Sequence, residues 1–406
     1  MANRFIITSF ILLLLTAGVN AQETTISPYS IFGIGDLQLG ESGRTAGMAG
    51  SGLGLSGGRF LNTLNPAALA ALDSTTFLFD VSGSSRGTKF TSGDNKQYAF
   101  GANITKITAG LHVSPLWSTA LSIQPYSSVS YKVERPGYIE GTTTKINTVF
   151  EGSGGITRLS FMNSLRISKN FSVGADFMLL FGNIDRTTTI SGLTLLQNSS
   201  STTASFNAGI LYTGKLTKNV ILGMGAVYGY GGQLKFDNTL KVNNENSTTL
   251  FNDYLAPSYF TIPPMYGGGI SIIAPRLTVN ADYHYNQWSM TRDASSGLKY
   301  TDTHKFDLGL AFTPANGAVT SYFEIIQYQA GFSVSNSYLT LEGVNPVNYE
   351  ITAGGSLPFK GGTQLNVALA YGKRGTVKQG LIREDYFKLT LSICIAEAWF
   401  MKRLYE

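Results

Sequence analysis

A single cysteine, Cys394, stands in a chain of 406 residues, so no internal disulfide framework can hold it together. Charge is scarce: Asp, Glu, Lys and Arg together make up 14% of the chain, which is too little for an ordinary soluble surface. The net charge of +5 is spread thinly, without a basic run, and this argues against a nucleic-acid partner. Three histidines, His112, His284 and His304, fall in no catalytic or metal-ligand motif, so neither an enzyme, a metal site nor a cofactor is expected. Beyond the N-terminus no run of about 18 apolar residues occurs, which excludes further membrane-spanning helices.

What remains is apolar and aromatic: 43% hydrophobic residues, with 46 Gly, 21 Tyr and 24 Phe. Arg4 precedes an apolar run from Phe5 to Leu15, and Val19-Asn20-Ala21 forms a small-residue cleavage site before Gln22. Residues 1–21 are therefore expected to be a cleaved signal peptide, the run being too short for an anchor. No cysteine adjoins the site, so no lipoprotein anchor is expected.

From Thr75 onward, apolar and polar residues alternate with period two, the mark of strands with two different faces. "FSVGADFMLLFG" sets Phe171, Val173, Ala175, Phe177, Leu179 and Phe181 against Ser172, Gly174 and Asp176. "YFKLTLSICIA" sets Phe387, Leu389, Leu391 and Ile393 against Lys388, Thr390, Ser392 and Cys394. About fourteen such strands fit between 75 and 395. Tight connections such as "SPL", "SKN" and "LTKN" alternate with long ones such as "SSRGTKFTSGDNK", "RTTTISGLTLLQNSS" and "DNTLKVNNENSTTLFNDYLAPSYFTIPP". Short turns on one rim and long loops on the other predict an all-β, transmembrane antiparallel barrel of about 14 strands in a Gram-negative outer membrane. Closure follows from physics, because lipid satisfies no backbone amide and the sheet can have no edge.

The stretch before the strands reads differently. In "GGRFLNTLNPAALAALDS" Asn65 caps a short helix with Pro66 at its first position. The glycines Gly47, Gly50, Gly52, Gly54, Gly57 and Gly58 lack a following GK[ST] and a preceding strand, so they suit a plug packed in a lumen better than a phosphate cradle. The expected organisation is a signal peptide at 1–21, an N-terminal hatch at 22–74, a barrel at 75–396 and a tail at 397–406. Asp282, His284 and Asn286 fall on one inward face and are read as lumen polarity. Two of the long connections carry apolar residues: Leu193, Leu195 and Leu196 in one, Leu250, Phe251, Tyr254, Leu255, Tyr259 and Phe260 in the other. These either pack as a lid or form a hydrophobic entry groove. Pro125 interrupts the third strand, and Ser127, Ser128 and Ser130 follow it. A proline cannot donate to the ladder, so a bulge or a local opening is expected there.

"NPAALA" (65–70), the interrupted third strand and "IPPMYGGGISIIAPRLTVNADYHYNQWS" (262–289) together resemble the FadL family of outer-membrane long-chain fatty acid and hydrocarbon transporters. The resemblance implies a fourteen-stranded barrel plugged by the hatch, capture of a hydrophobic small molecule at the outer loops and lateral exit at the kink; the apolar loop residues Leu193, Leu195, Leu196, Phe251, Tyr254, Leu255, Tyr259 and Phe260 are the expected capture residues. It assigns the hatch motif to Asn65, Pro66 and Ala67 and the kink to Pro125, Tyr126 and Ser127. It also implies packing of that motif against the kink. Outer-membrane lipid and the barrel-assembly machinery, during biogenesis, are the further expected partners. The kink departs from the family's usual phenylalanine-glycine, since Tyr126-Ser127 stands there. Two other functions compete: a barrel serving as a surface scaffold or secretion-system subunit, and a lipid-modifying enzyme with a Ser/His pair on adjacent lumen positions.

Overall fold

The computed structural model describes residues 27–38, 43–74, 76–138, 143, 145–291, 299–315, 321–359 and 361–399; the expected signal peptide and the end of the expected tail lie outside them. The wall opens with β1 (Thr76–Ser92), β2 (Asn95–Ser114), β3 (Trp117–Tyr138), β4 (Lys145–Arg166), β5 (Phe171–Ile190) and β6 (Leu193–Lys215). β7 runs in two segments, Ile221–Gly229 and Gln233–Asn243, as does β8, Thr249–Thr261 and Met265–Ile273. β9 (Leu277–Asn286), β10 (Thr303–Phe312), β11 (Gln327–Asn336), β12 (Val347–Pro358), β13 (Gln364–Gly375) and β14 (Arg383–Ala398) complete it. β14 pairs with β1 from Arg383↔Thr91 to Ala398↔Thr76. The sheet is thus a closed antiparallel barrel of fourteen strands, the architecture of an outer-membrane protein.

Its faces are inverted relative to a soluble protein. Phe387, Leu369, Leu308 and Phe177 are exposed on the outside, whereas Ser271, Asn280, Ser392 and Asn366 are buried inside. Hydrocarbon outside and a packed polar lumen inside demand this arrangement. On β14, Thr390, Ser392 and Cys394 point inward and are buried while Phe387 is 70% exposed, the register that the alternation predicts. Leu391→Arg should therefore cost about 2–4 kcal/mol near the bilayer midplane and impair insertion, read as lost heat-modifiable gel mobility. Ser392→Arg should insert and instead displace the hatch, because Ser392 packs against Gly43.

Three stretches that read as loops are strand. The β1–β2 turn follows Ser92 and ends before Asn95, and the β5–β6 turn is reduced to Ser191 and Gly192. Thr194–Ser201 of β6 pairs with the upper segment of β7, which pairs in turn with Thr249–Thr261 of β8. Together they form a fin that projects beyond the membrane span. The physical reason is that a ladder can continue into water, where neither face must be greasy, so alternation fades while pairing persists.

Of the segment before β1, the described residues 27–38 and 43–74 lie largely buried against the inner wall and are here called the hatch. Pro66–Ala71 is a 3-10 helix, and Met48, Leu53, Leu55, Leu61 and Leu69 are fully buried.

Candidate functional site: the hatch and the bent third strand

Asn65 does two jobs. Its Oδ1 accepts from the Ala67 N–H at 3.0 Å, capping the 3-10 helix. Its Nδ2 donates to the carbonyls of Leu53 and of Ile210 on β6, both at 3.0 Å. The Ala67 carbonyl accepts from Ser164 and Ser172 at 3.0 and 2.9 Å, and Arg166 donates to the Ala70 carbonyl. The Asn65 side chain and the Ala67 carbonyl are thus spent on the hatch itself or on β4 to β6. A side chain at Gly174 would overlap Ala67, and one at Gly225 would overlap the Leu53 carbonyl. These two glycines let hatch backbone lie against wall backbone. Elsewhere Asp282 accepts the N–H groups of Gly52 and Leu53 at 2.6 and 2.9 Å, and Thr352 bonds the backbone of Gly47 and Ala49. Lumen polarity at Asp282 therefore serves to hold the hatch.

The third strand is where the wall departs from regular pairing. β2 and β3 pair from Ile107↔Ile123 down to Ser114↔Trp117, and no further up. Above that point β2 stays with β1, while β3 stays with β4 through a register shift between Pro125 and Ser127. The shift is the bulge expected of a proline in a strand. β4 follows the bend through Gly154 and Gly155, at φ of +101° and +146°, conformations that only glycine adopts without strain. Gly155 also lies directly against the Ser127 carbonyl.

The edge of β3 left by this divergence is taken up by the N-terminal arm of the hatch. Asp36↔Ser128 and Leu37↔Ser127 pair antiparallel. Gln38 N–H donates to the Tyr126 carbonyl at 2.9 Å, and Ser27 N–H to the Ser130 carbonyl at 2.9 Å. The Ser130 N–H donates to Ser30 Oγ at 3.0 Å. The segment that packs on the kink is therefore Asp36–Leu37. The expected packing of Asn65-Pro66-Ala67 against Pro125 is corrected, because that motif is committed to β4, β5 and β6.

Charges clasp the arm at its other side. Arg374 of β13 donates to Asp36 at 2.8 Å. Glu384 of β14 accepts from Ser27 Oγ at 2.6 Å and from Arg86 of β1 at 2.9 Å, and is wholly buried. Tyr29 donates to the Ile382 carbonyl, Arg186 to the Gly33 carbonyl at 2.8 Å, and Tyr338 to the Gly35 carbonyl at 3.2 Å. Burial, reinforced by Glu384, pushes the Tyr29 phenol up, so it remains a neutral donor.

Behind the arm lies an apolar cluster that includes Ile34, Val129, Ile156, Leu234, Phe260, Ile262 and Trp288, with Tyr126 packed against it. Of the apolar residues expected to capture a ligand, Phe260 belongs to this cluster, whereas Leu193, Phe251, Tyr254, Leu255 and Tyr259 are exposed on the fin. Leu195 and Leu196 are half-buried in β6. A Ser/His pair does occur: His112 Nδ1 lies 2.9 Å from Ser118 Oγ. Both are buried, and among the described residues no carboxylate is hydrogen-bonded to His112, so the pair joins β2 to β3 without the orienting acid that a nucleophile needs.

The fold is that of FadL-type channels. A Pseudomonas aeruginosa FadL homologue shares 14% identity at a TM-score of 0.60, covering 90% of this chain and 100% of its own. The Pseudomonas putida toluene transporter TodX shares 14% at 0.58, covering 91% of this chain and 100% of its own. The monoaromatic hydrocarbon channel CymD shares 14% at 0.58, covering 90% and 98%. No curated protein matches. The family model described as BamG matches residues 1–406, and the chain belongs to the BamG family.

Proposed function

We propose that the protein is a passive outer-membrane channel for a hydrophobic small molecule of the fatty-acid or hydrocarbon class, which leaves sideways between β2 and β3 when the hatch arm withdraws. The observation that carries this reading is the divergence of the two strands above Ile107 and Ile123, with the β3 edge covered by hatch backbone. A covering segment held by two ladder pairs and a few flanking hydrogen bonds can leave without unfolding the wall. The exposed apolar side chains Leu193, Phe251, Tyr254, Leu255 and Tyr259, with Leu195 and Leu196 beside them, would collect the ligand. The cluster around Phe260 would receive it, each Å² of apolar surface buried being worth about 25 cal/mol. Lipid of the outer membrane would then take it up, and insertion by the barrel-assembly machinery belongs to the same proposal.

The test is a reversible lock. With Leu37→Cys and Ser127→Cys in a Cys394→Ser background, reconstituted vesicles should take up a fluorescent fatty acid at least about tenfold more slowly when oxidised than when reduced, if opening is mainly through this seam. Equal rates in correctly inserted protein would contradict the lateral route.

The fin favours a second reading. Thr249–Pro257 is exposed along its whole length, and an extended, partly apolar strand is a template for pairing with another chain. If the oxidised lock leaves the cellular role intact while proline at Asp253 abolishes it, the barrel acts as a scaffold or secretion-system subunit.

A further inference from the structure

A hollow of about 760 Å³ lies on the outer wall, across β12, β13, β14, β1 and β2. Its floor is built by register. Tyr371↔Phe387, Phe387↔Gly87 and Gly87↔Phe100 are successive cross-strand partners, so one row of the barrel surface reads aromatic, aromatic, glycine, aromatic. The Tyr371 and Phe387 rings lie 5.0 Å apart. At Gly87 a Cβ would meet nothing within 4 Å, so the glycine leaves an open slot in an otherwise continuous aromatic girdle. Two residues further toward the long-loop rim, the next row runs Tyr349↔Lys373, Lys373↔Asp385, Asp385↔Lys89 and Lys89↔Tyr98. Arg383 completes the lining and pairs with Asp385 at 3.0 Å. Three cations therefore face one carboxylate, and among the described residues neither Lys89 nor Lys373 forms an ion pair.

The depth of this hollow in the membrane decides what it fits. A transmembrane strand crosses in about 9–11 residues, so counting up from Thr76 puts the outer interface just below Gly87. The aromatic row then sits at the girdle and the lysine row at the level of outer-leaflet headgroups. An acyl chain fits a slot between aromatic rings. A phosphate fits two lysines and a guanidinium, at a depth where local water is scarce and charge pairing is strong.

We propose that this hollow is a binding site for a multiply acylated, phosphorylated glycolipid of the outer leaflet, one chain lying in the Gly87 slot and a phosphate on Lys89, Lys373 and Arg383. The site lies on the outside of the wall, away from the hatch, and it flanks the upper part of β2 that carries Tyr98 and Phe100, which is paired with β1 but not with β3. A lipid held there would cover the outer side of the seam that the hatch arm covers from within.

The experiment uses the whole barrel in phosphatidylcholine nanodiscs doped with bis-phosphorylated lipid A or with its dephosphorylated form, and counts retained lipid by native mass spectrometry. Wild type should retain the phosphorylated form about tenfold more than the dephosphorylated one, from the attraction of near-surface lysines alone. Lys89→Gln with Lys373→Gln should abolish that preference. Gly87→Leu, whose Cβ would meet no protein atom within 4 Å and whose side chain would occupy the slot, should lower retention of both forms. Heat-modifiable mobility confirms that each variant is folded. Equal retention of the two lipid forms by wild type, or unchanged retention of the phosphorylated form by the lysine variant, would overturn the site.

Discussion

Asp36→Ala should free the hatch arm and leave the barrel intact. The substitution strands Arg374, which lies mostly buried with its guanidinium over the Tyr29 ring at 5.1 Å. Removing one partner of a buried ion pair costs about 3–5 kcal/mol, because the other charge stays desolvated and unpaired. The barrel's own ladder does not depend on the pair, so the loss falls on the arm. Trypsin should then cut at Arg44 in folded, heat-modifiable protein, where wild type resists. Arg374→Met should behave alike, and the double variant Asp36→Leu with Arg374→Leu should recover much of the protection, since no orphaned charge remains. Equal protease resistance of wild type and Asp36→Ala would show that the clasp does not hold the arm.

Gly225→Val should produce the second large effect, at the opposite end of the hatch. Its Cβ would overlap the Leu53 carbonyl oxygen and crowd Asn65 Nδ2, both of them rigid backbone or cap atoms. Overpacking of this kind costs about 1–3 kcal/mol or more. Valine favours a strand, so the wall should still insert. The expected outcome is a barrel of normal mobility with a displaced hatch, read as maleimide labelling of Ser51→Cys in a Cys394→Ser background. Ser51 is wholly buried, so labelling equal to that of the same cysteine without Gly225→Val would contradict the close approach.

Much of this architecture was legible because the lipid imposes a pattern. Phe387, Leu389, Leu391 and Ile393 had to share a face, and with them the lumen assignment of Ser392 and Cys394 followed. The cap at Asn65 and the break at Pro125 were legible because each rests on local chemistry, a side-chain acceptor in one case and a missing donor in the other. The fin was not, since "RTTTI" and "TLLQNSS" pair in water, where no alternation is enforced. Nor was the partner of the kink. Asp36–Leu37 is too short to show a period, and the likeness of "NPAALA" to a known motif pointed to the wrong segment. A signal was present all the same: Arg374 falls on an inward position beside buried Glu384 near the long-loop rim, where unpaired charge is expensive and a buried counterpart, here Asp36, was to be expected.

The central claim is that hatch backbone, in place of a β2–β3 ladder, closes the wall above Pro125. Residue-resolved hydrogen exchange at Ser130 tests it most directly, because that amide donates to Ser30 of the arm, whereas the amides around Leu121 lie in the paired part of β3, opposite Ala109. In a variant lacking residues 22–38, Ser130 should exchange at least about tenfold faster than in wild type, as expected for loss of a protecting hydrogen bond, while Leu121 stays protected. Unchanged protection of Ser130 in the truncated, inserted barrel would mean that the strands themselves seal the wall, and the account would be wrong.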